Sequence, residues 1–211
     1  LDPVRFLSNH SSGKMGFALA RAAKEAGAQT ILIAGPVNLA TPSGVERRDV
    51  TTALDMLAAA ETAALGADLF IGAAAVADFR PANIAEQKIK KQSGDPFTLQ
   101  LIQNPDIIAQ IASLPAAPTL MVGFAAETEQ VESHAASKRI RKGLDVIVAN
   151  DVSRSDIGFN SDQNTVTVID SQGARTLPTA SKQQLALWLI EVFADRLTEK
   201  CEQSEQQGGR P

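Results

Sequence analysis

The sequence predicts an α/β protein built on a Rossmann-like doubly wound, mostly parallel sheet with a small antiparallel hairpin extension. Three observations predict it. Short apolar runs at residues 29–34, 67–74, 119–124 and 146–150 are continuous rather than alternating, as in strands covered on both faces. Segments with helical patterns separate these runs, as crossover helices do in a parallel sheet. Aromatic residues make up only 4% of the chain, with no Tyr, while Ala is abundant. That composition suits helices packed closely on a sheet better than an aromatic-rich β-sandwich.

Each element has a local reason. The amphipathic run after Gly13 reads as a helix that ends near Gly27, a residue suited to the left-handed position past a helix end. The strand at 29–34 stops at Gly35-Pro36. Residues 51–64 read as a helix capped by Thr51 or Thr52, with Leu54, Leu57 and Leu65 on its apolar face. The strand at 67–74 follows. A short helix is expected over 104–114, with Asn104 as its N-cap and Pro105 at the first helical position. The strand at 119–124, a helix over 129–143 and the strand at 146–150 complete the alternation.

The last third reads differently. Residues 164–170 and 175–177, joined by Ser171-Gln172-Gly173-Ala174, form an antiparallel hairpin pattern. Residues 181–197 form a closing helix with Leu185, Trp188, Leu189 and Val192 on one face. A body spanning 1–197 is therefore expected, followed by a polar, disordered tail at 198–211. Residues 82–102 are the least regular part of the body. They contain Lys88-Ile89-Lys90-Lys91 and a Ser93-Gly94-Asp95-Pro96 turn, and they read as a mobile flap.

Bulk properties exclude several classes. With 211 residues, a net charge of −4 and a pI near 5.2, the chain lacks the basic balance of a nucleic-acid binder. The single Cys201 rules out a disulfide within the monomer and fits a reducing cytoplasm. No apolar run reaches membrane-spanning length, so no membrane role is expected. Leu1 opens no signal peptide and is not an initiator Met, so the sequence reads as a fragment with its N-terminal neighbour missing.

In open parallel sheets, ligands bind beyond the carboxyl ends of the strands. The loop Ser8-Asn9-His10-Ser11-Ser12-Gly13-Lys14-Met15-Gly16 feeds a helix N-terminus, where free amides and the helix dipole attract anions. It matches neither the P-loop nor the G-x-G-x-x-G fingerprint. Small residues at 73–75 let a flat ligand approach the backbone, and Asp78 offers a carboxylate to a metal, a base or a ribose; a turn or cap role is equally compatible. Phe124 could stack on a base, though a core aromatic is the simpler reading. Glu127 could bind Mg²⁺ or cap a helix, and Asn150-Asp151 ends the next strand. Two basic clusters, Lys88/Lys90/Lys91 and Lys138/Arg139/Arg141/Lys142, are by default solvated faces, but a triphosphate would want several such cations. His10, His134 and Cys201 lack zinc-ligand spacing, and no G-x-S-x-G is present.

Six motifs occur in order. They are the 8–16 loop, Ala74-Ala75-Val76-Ala77-Asp78-Phe79, Lys88-Ile89-Lys90-Lys91, Asn104-Pro105-Asp106-Ile107, Gly123-Phe124-Ala125-Ala126-Glu127-Thr128 and Ala149-Asn150-Asp151. Together they closely resemble phosphopantothenoylcysteine synthetase, the ligase half of the bacterial bifunctional coenzyme A biosynthesis protein, up to about Leu197. The resemblance implies a CTP-dependent ligase in which 4′-phosphopantothenate becomes an acyl-cytidylate that cysteine converts to an amide. It implies catalytic roles for Asn9, at the acyl-cytidylate, and Lys88, in activation. It implies CTP contacts from Gly72, Ala73, Ala74, Asp78, Lys88, Asn104, Pro105, Asp106, Ile107, Phe124, Lys138 and Lys142. Arg5, Asn9, Ser11, Ser12, Gly13 and Lys14 would hold phosphopantothenate.

Mg²⁺ is implied as cofactor, CTP as co-substrate, and a homodimer as assembly, with the hairpin at 164–177 as part of its contact. Family members carry a strand and a Gly/Thr-containing loop just before the equivalent of Leu1, and usually a flavin-dependent decarboxylase upstream; neither is in this sequence, so no FMN site is expected. An NAD(P)-dependent oxidoreductase of the short-chain type would share the fold class. The chain lacks G-x-x-x-G-x-G, however, and without Tyr has no Tyr-x-x-x-Lys pair. A non-catalytic nucleotide-binding module is the third reading.

Overall fold

The computed structural model describes residues 1–90, 97–127, 131–151 and 163–208. Helix α1 (Lys14–Glu25) leads to β1 (Ile31–Ala34), β2 (Glu46–Asp49), α2 (Ala53–Ala64) and β3 (Leu69–Gly72). A ribbon of β4 (Phe79–Pro81) and β5 (Leu101–Gln103) precedes α3 (Ile107–Ala112), β6 (Leu120–Glu127), α4 (Val131–Arg141) and β7 (Val146–Asp151). The last third holds β8 (Gln163–Asn164), β9 (Val166–Asp170), β10 (Gly173–Thr176), β11 (Ala180–Ser181) and α5 (Lys182–Gly208).

The main sheet has the order β10-β9-β7-β6-β3. Strands β3, β6 and β7 are parallel, with Ile71 opposite Val122 and Val122 opposite Val146. The hairpin β9–β10 then adds antiparallel strands at one edge. Alternate residues of β6 and β7 feed two cores, because successive side chains point to opposite faces. Leu120, Val122, Val146 and Val148 meet Leu19 and Ala22 of α1 and Leu185, Leu189 and Phe193 of α5. Met121, Ala125, Ile147 and Ala149 meet Ala60 and Ala64 of α2, Ile107 and Ile111 of α3, and Ala135 of α4. Burial on both faces is why these strands carry no polar alternation.

Several expectations need correction. The parallel strands do not form one continuous sheet among the described residues: β1 pairs only with β2, as a separate parallel unit. A groove runs between β1 and β3, lined by Leu19 and Ala23 of α1 and Ala60 and Ala64 of α2. Helix α3 begins two residues later than expected. Its N-cap is Asp106, whose side chain accepts from the Ala109 amide at 3.2 Å. The amide of Asn104 is taken elsewhere: its Nδ2 donates to the Ala77 carbonyl at 2.8 Å. The expected disordered tail is helical through Gly208. Glu, Gln and Lys are good helix formers, and Arg196 bridges Asp170 and Glu199 while Lys200 bonds Asp145. Residues 82–102 also contain order, since β4 and β5 pair across them. Lys91, the 93–96 turn, Thr128 and Glu129 lie outside the described residues, as do the side chains of Glu127 and Asp151.

Candidate active site

A single open cleft of about 2420 Å³ gathers most of the candidate residues. An ordinary ligand pocket measures roughly 300–1,000 Å³, so this space, which includes the β1/β3 groove, exceeds the needs of one small ligand. Its walls carry Asn9, Ser11, Ser12, Gly13 and Lys14 from the first loop. They also carry Gly72 at the end of β3, Ala73, Ala74 and Asp78 after it, residues 104–107 leading into α3, Phe124 on β6, Lys138 on α4 and Lys142 just past its end.

The first loop is shaped by Gly13, which caps α1 in the left-handed region at φ 71° and offers no side-chain cap. A Cβ there would be strained and would meet Val37 Cγ1 at 3.1 Å. Its amide donates to Ser11 Oγ at 3.3 Å. The loop is joined to the segment after β3 by Asn9, whose Nδ2 donates to the Val76 carbonyl at 3.1 Å.

The second wall is organised by Asn104, a buried polar side chain. Besides its bond to Ala77, its Oδ1 accepts from Arg80 Nη1 at 3.0 Å, and its amide donates to the Asp78 carbonyl at 2.8 Å. These bonds fix the backbone around Asp78 while leaving that side chain exposed. At Gly72 the backbone closely approaches α3: a Cβ there would lie 2.5 Å from Ile108 Cδ1. Phe124 packs against the core, as the simpler reading expected, and also lines the cleft.

Asp106 and Lys142 form an ion pair at 2.8 Å that ties α3 to the end of α4. Partial burial pushes the Asp106 carboxyl up, but the hydrogen bond from Lys142, the Ala109 amide and the charges of Lys142 and Lys138 outweigh it and hold it below its ordinary value. Arg139 of the same basic cluster serves structure, donating to the Leu144 and Asp145 carbonyls past the helix end.

Lys88 and Arg5 stand apart. Lys88 is exposed, and neither residue lines the cleft. Arg5 pairs with Asp2 and donates to the Ile89 carbonyl at 2.7 Å. Among the described residues no cluster of three or more His, Cys, Asp or Glu side chains could enclose a metal ion. Sequence reasoning missed Asp2 and the Asp106–Lys142 pair; Asn150, singled out at a strand end, has a buried, unpartnered Oδ1 near the end of β7.

A model of the DNA/pantothenate metabolism flavoprotein C-terminal domain matches residues 1–197. The chain belongs to this family. The Coenzyme A biosynthesis bifunctional protein CoaBC of Escherichia coli K12 is 50% identical over 202 residues, covering 95% of this chain and 50% of the relative. That of Bacillus subtilis is 43% identical over 196 residues, covering 92% and 48%. The chain thus spans about half the length of these relatives. Among solved structures, the C-terminal domain of CoaBC superposes with TM-score 0.78 at 34% identity, covering 94% of this chain and 89% of that one. Cab2 in complex with phosphopantothenate-cysteine superposes at 0.77 with 16% identity, covering 96% and 83%, and shows the shared fold. The family match includes the first loop, both cleft walls and α4, all within 1–197.

Proposed function

We propose that this domain is a CTP-dependent phosphopantothenate–cysteine ligase of coenzyme A biosynthesis. The observation that carries the reading is the Asn9–Val76 hydrogen bond, which joins the acyl-side loop to the nucleotide wall at one cleft. The carboxylate of 4′-phosphopantothenate attacks the α-phosphate of CTP and releases pyrophosphate. The cysteine amine then attacks the acyl carbon of the cytidylate, forms the amide and expels CMP. Asn9 suits the acyl carbonyl because an amide polarises it without titrating. Ser11, Ser12, Gly13 and Lys14 hold the substrate phosphate, with the amides of α1 contributing; Arg5, paired with Asp2 outside the cleft, would have to reach it from the edge. Gly72, Ala73, Ala74, Asp78, residues 104–107 and Phe124 contact the nucleotide, and Lys138 and Lys142 offset its triphosphate charge.

Mg²⁺ fits this donor set as a phosphate-borne ion, which needs one or two carboxylates rather than a protein cage; the exposed Asp78 would offer one such carboxylate. Bound there, it would neutralise phosphate charge. Lys88 serves activation. The active form is a homodimer fused to an upstream decarboxylase, working in the cytoplasm. The lone exposed Cys201 and the lack of a membrane-spanning helix among the described residues support that setting.

The test is pyrophosphate release with CTP, phosphopantothenate and cysteine. Release that does not depend on phosphopantothenate sinks the reading. Asn9→Asp is expected to let the cytidylate accumulate, and Lys88→Gln to suppress its formation.

A further inference from the structure

We propose that Asp2 is a positioning residue whose buried carboxylate fixes Arg5 and Lys88 relative to one another, linking the acyl-substrate side of the site to the lysine that activates with the nucleotide. The inference rests on the ligase reading above. The Asp2 side chain is wholly buried. Its Oδ1 accepts from the amides of Val4 and Arg5, both at 2.9 Å, and closes a tight local turn. Its Oδ2 has a different set of partners: Arg5 Nε at 3.0 Å, Arg5 Nη2, and the Ile89 amide at 3.1 Å. Arg5 Nη2 also donates to the Ile89 carbonyl at 2.7 Å. The Asp2–Arg5 pair therefore grips both backbone polar groups of Ile89, and the Ala85 amide adds a bond to the Leu1 carbonyl at 3.0 Å.

Ile89 directly follows Lys88. The Ile89 amide belongs to the peptide plane shared with Lys88 and its carbonyl to the next plane, so both planes flanking Ile89 are held, the first by Asp2 and the second by Arg5. The root of the Lys88 side chain is set while its ammonium end stays exposed. Arg5 is oriented by the same carboxylate, through a fork that a guanidinium provides and an ammonium does not. A buried carboxylate is costly unless paired and fully hydrogen-bonded. Here Arg5 holds the Asp2 carboxyl well below the usual carboxylate range, with the amides of Val4, Ile89 and Arg5 assisting against burial. A turn cap needs only Oδ1. The second oxygen is committed to the link, so Asn at this position would keep the turn and lose the coupling.

The test compares Asp2→Asn, Lys88→Gln and the double variant of the 211-residue chain. Pyrophosphate release with CTP and phosphopantothenate in the absence of cysteine reads activation. Hydrogen exchange across residues 85–90 reads the link without any turnover. Asp2→Asn is expected to slow activation roughly 10- to 100-fold and to speed exchange at 85–90. In the Lys88→Gln background it should have no further effect on activation, since coupled residues are not additive. Additive losses, or unchanged exchange at 85–90, overturn the inference. Full activity of Lys88→Gln overturns the Lys88 assignment beneath it, and that failure is visible without touching Asp2. If Asp2→Asn does not fold, Arg5→Lys takes its place: it keeps the charge but not the fork, and the same faster exchange at 85–90 is expected.

Discussion

Lys138 on α4 and Lys142 just past its end lie one turn apart and both line the cleft, yet their settings differ. Lys142 is mostly covered and pairs with Asp106, the same carboxylate that caps α3. Replacing either lysine by Met should raise the KM for CTP. Lys142→Met should also lower the melting temperature. The loss is at most about 1 kcal/mol because Asp106 is partly exposed, or roughly 2–4 °C for a domain of this size. The pH dependence follows from the sign of the Asp106 shift. Its folded-state carboxyl titrates below its ordinary value of 3.8, so the pair's contribution is complete above that value and drains away as pH falls through the folded one. Thermal melts of wild type and Lys142→Met should therefore differ by a constant amount from about pH 5 to 8 and converge in stronger acid. The sequence showed both lysines but not this division. Asn104 and Asp106 are equally good caps by type, and only the tertiary bond from Asn104 to Ala77 decides between them.

Elements were legible where their own residues dictate them. The runs forming β6 and β7 are buried on both faces and that of β3 is half-buried against the same two cores, so their apolar continuity survives in the sequence. Helix α2 was legible because Thr52 accepts from the Asp55 amide at 3.1 Å while Asp55 accepts from the Thr52 amide at 3.0 Å, a reciprocal cap. Thr52→Ala should cost about 1 kcal/mol in urea denaturation.

Strand β2 was invisible. Its sequence Glu46-Arg47-Arg48-Asp49 carries no apolar pattern, and it is held by pairing with β1, by Arg47 bonds to the Leu39 and Val37 carbonyls, and by Arg47 over the Phe17 ring at 5.2 Å. Gly72 shows how an element contact can resemble a binding signature. If it serves α3 packing, Gly72→Ala should destabilise by about 1–3 kcal/mol, and combining it with Ile108→Ala should cost less than the sum of the two. A raised KM for CTP at unchanged stability would instead assign the glycine to the ligand.

At the scale of the whole molecule, the helices cover both faces of the main sheet, and one group of exposed apolar side chains lies on and beside the β4–β5 ribbon. Phe79 on β4 is 50% exposed, and Leu101 and Ile102 on β5 are 44% and 42% exposed; Ile84 and Phe97 beside the ribbon reach 69% and 66%. An isolated two-stranded ribbon is marginal in water, and exposed apolar side chains on such a ribbon are a candidate contact for a partner. The hairpin favoured from the resemblance is a weaker candidate, since the outer strand β10 reads Gly-Ala-Arg-Thr and exposes little apolar area. The proposed homodimer is therefore expected to form through the β4–β5 ribbon. Sedimentation equilibrium should show a dimer for the wild type and a monomer for the Phe79→Glu/Leu101→Glu double variant, with far-UV circular dichroism unchanged. Arg175→Glu on β10 should leave the dimer intact. Dissociation by the β10 variant, or a persistent dimer with both ribbon charges in place, would move the contact back to the hairpin. Because β4 begins one residue after Asp78 and β5 ends one residue before Asn104, a dimer through this ribbon would brace the second wall of the cleft. The monomeric variant should then also show a higher KM for CTP, while a ribbon unrelated to the site would leave it unchanged.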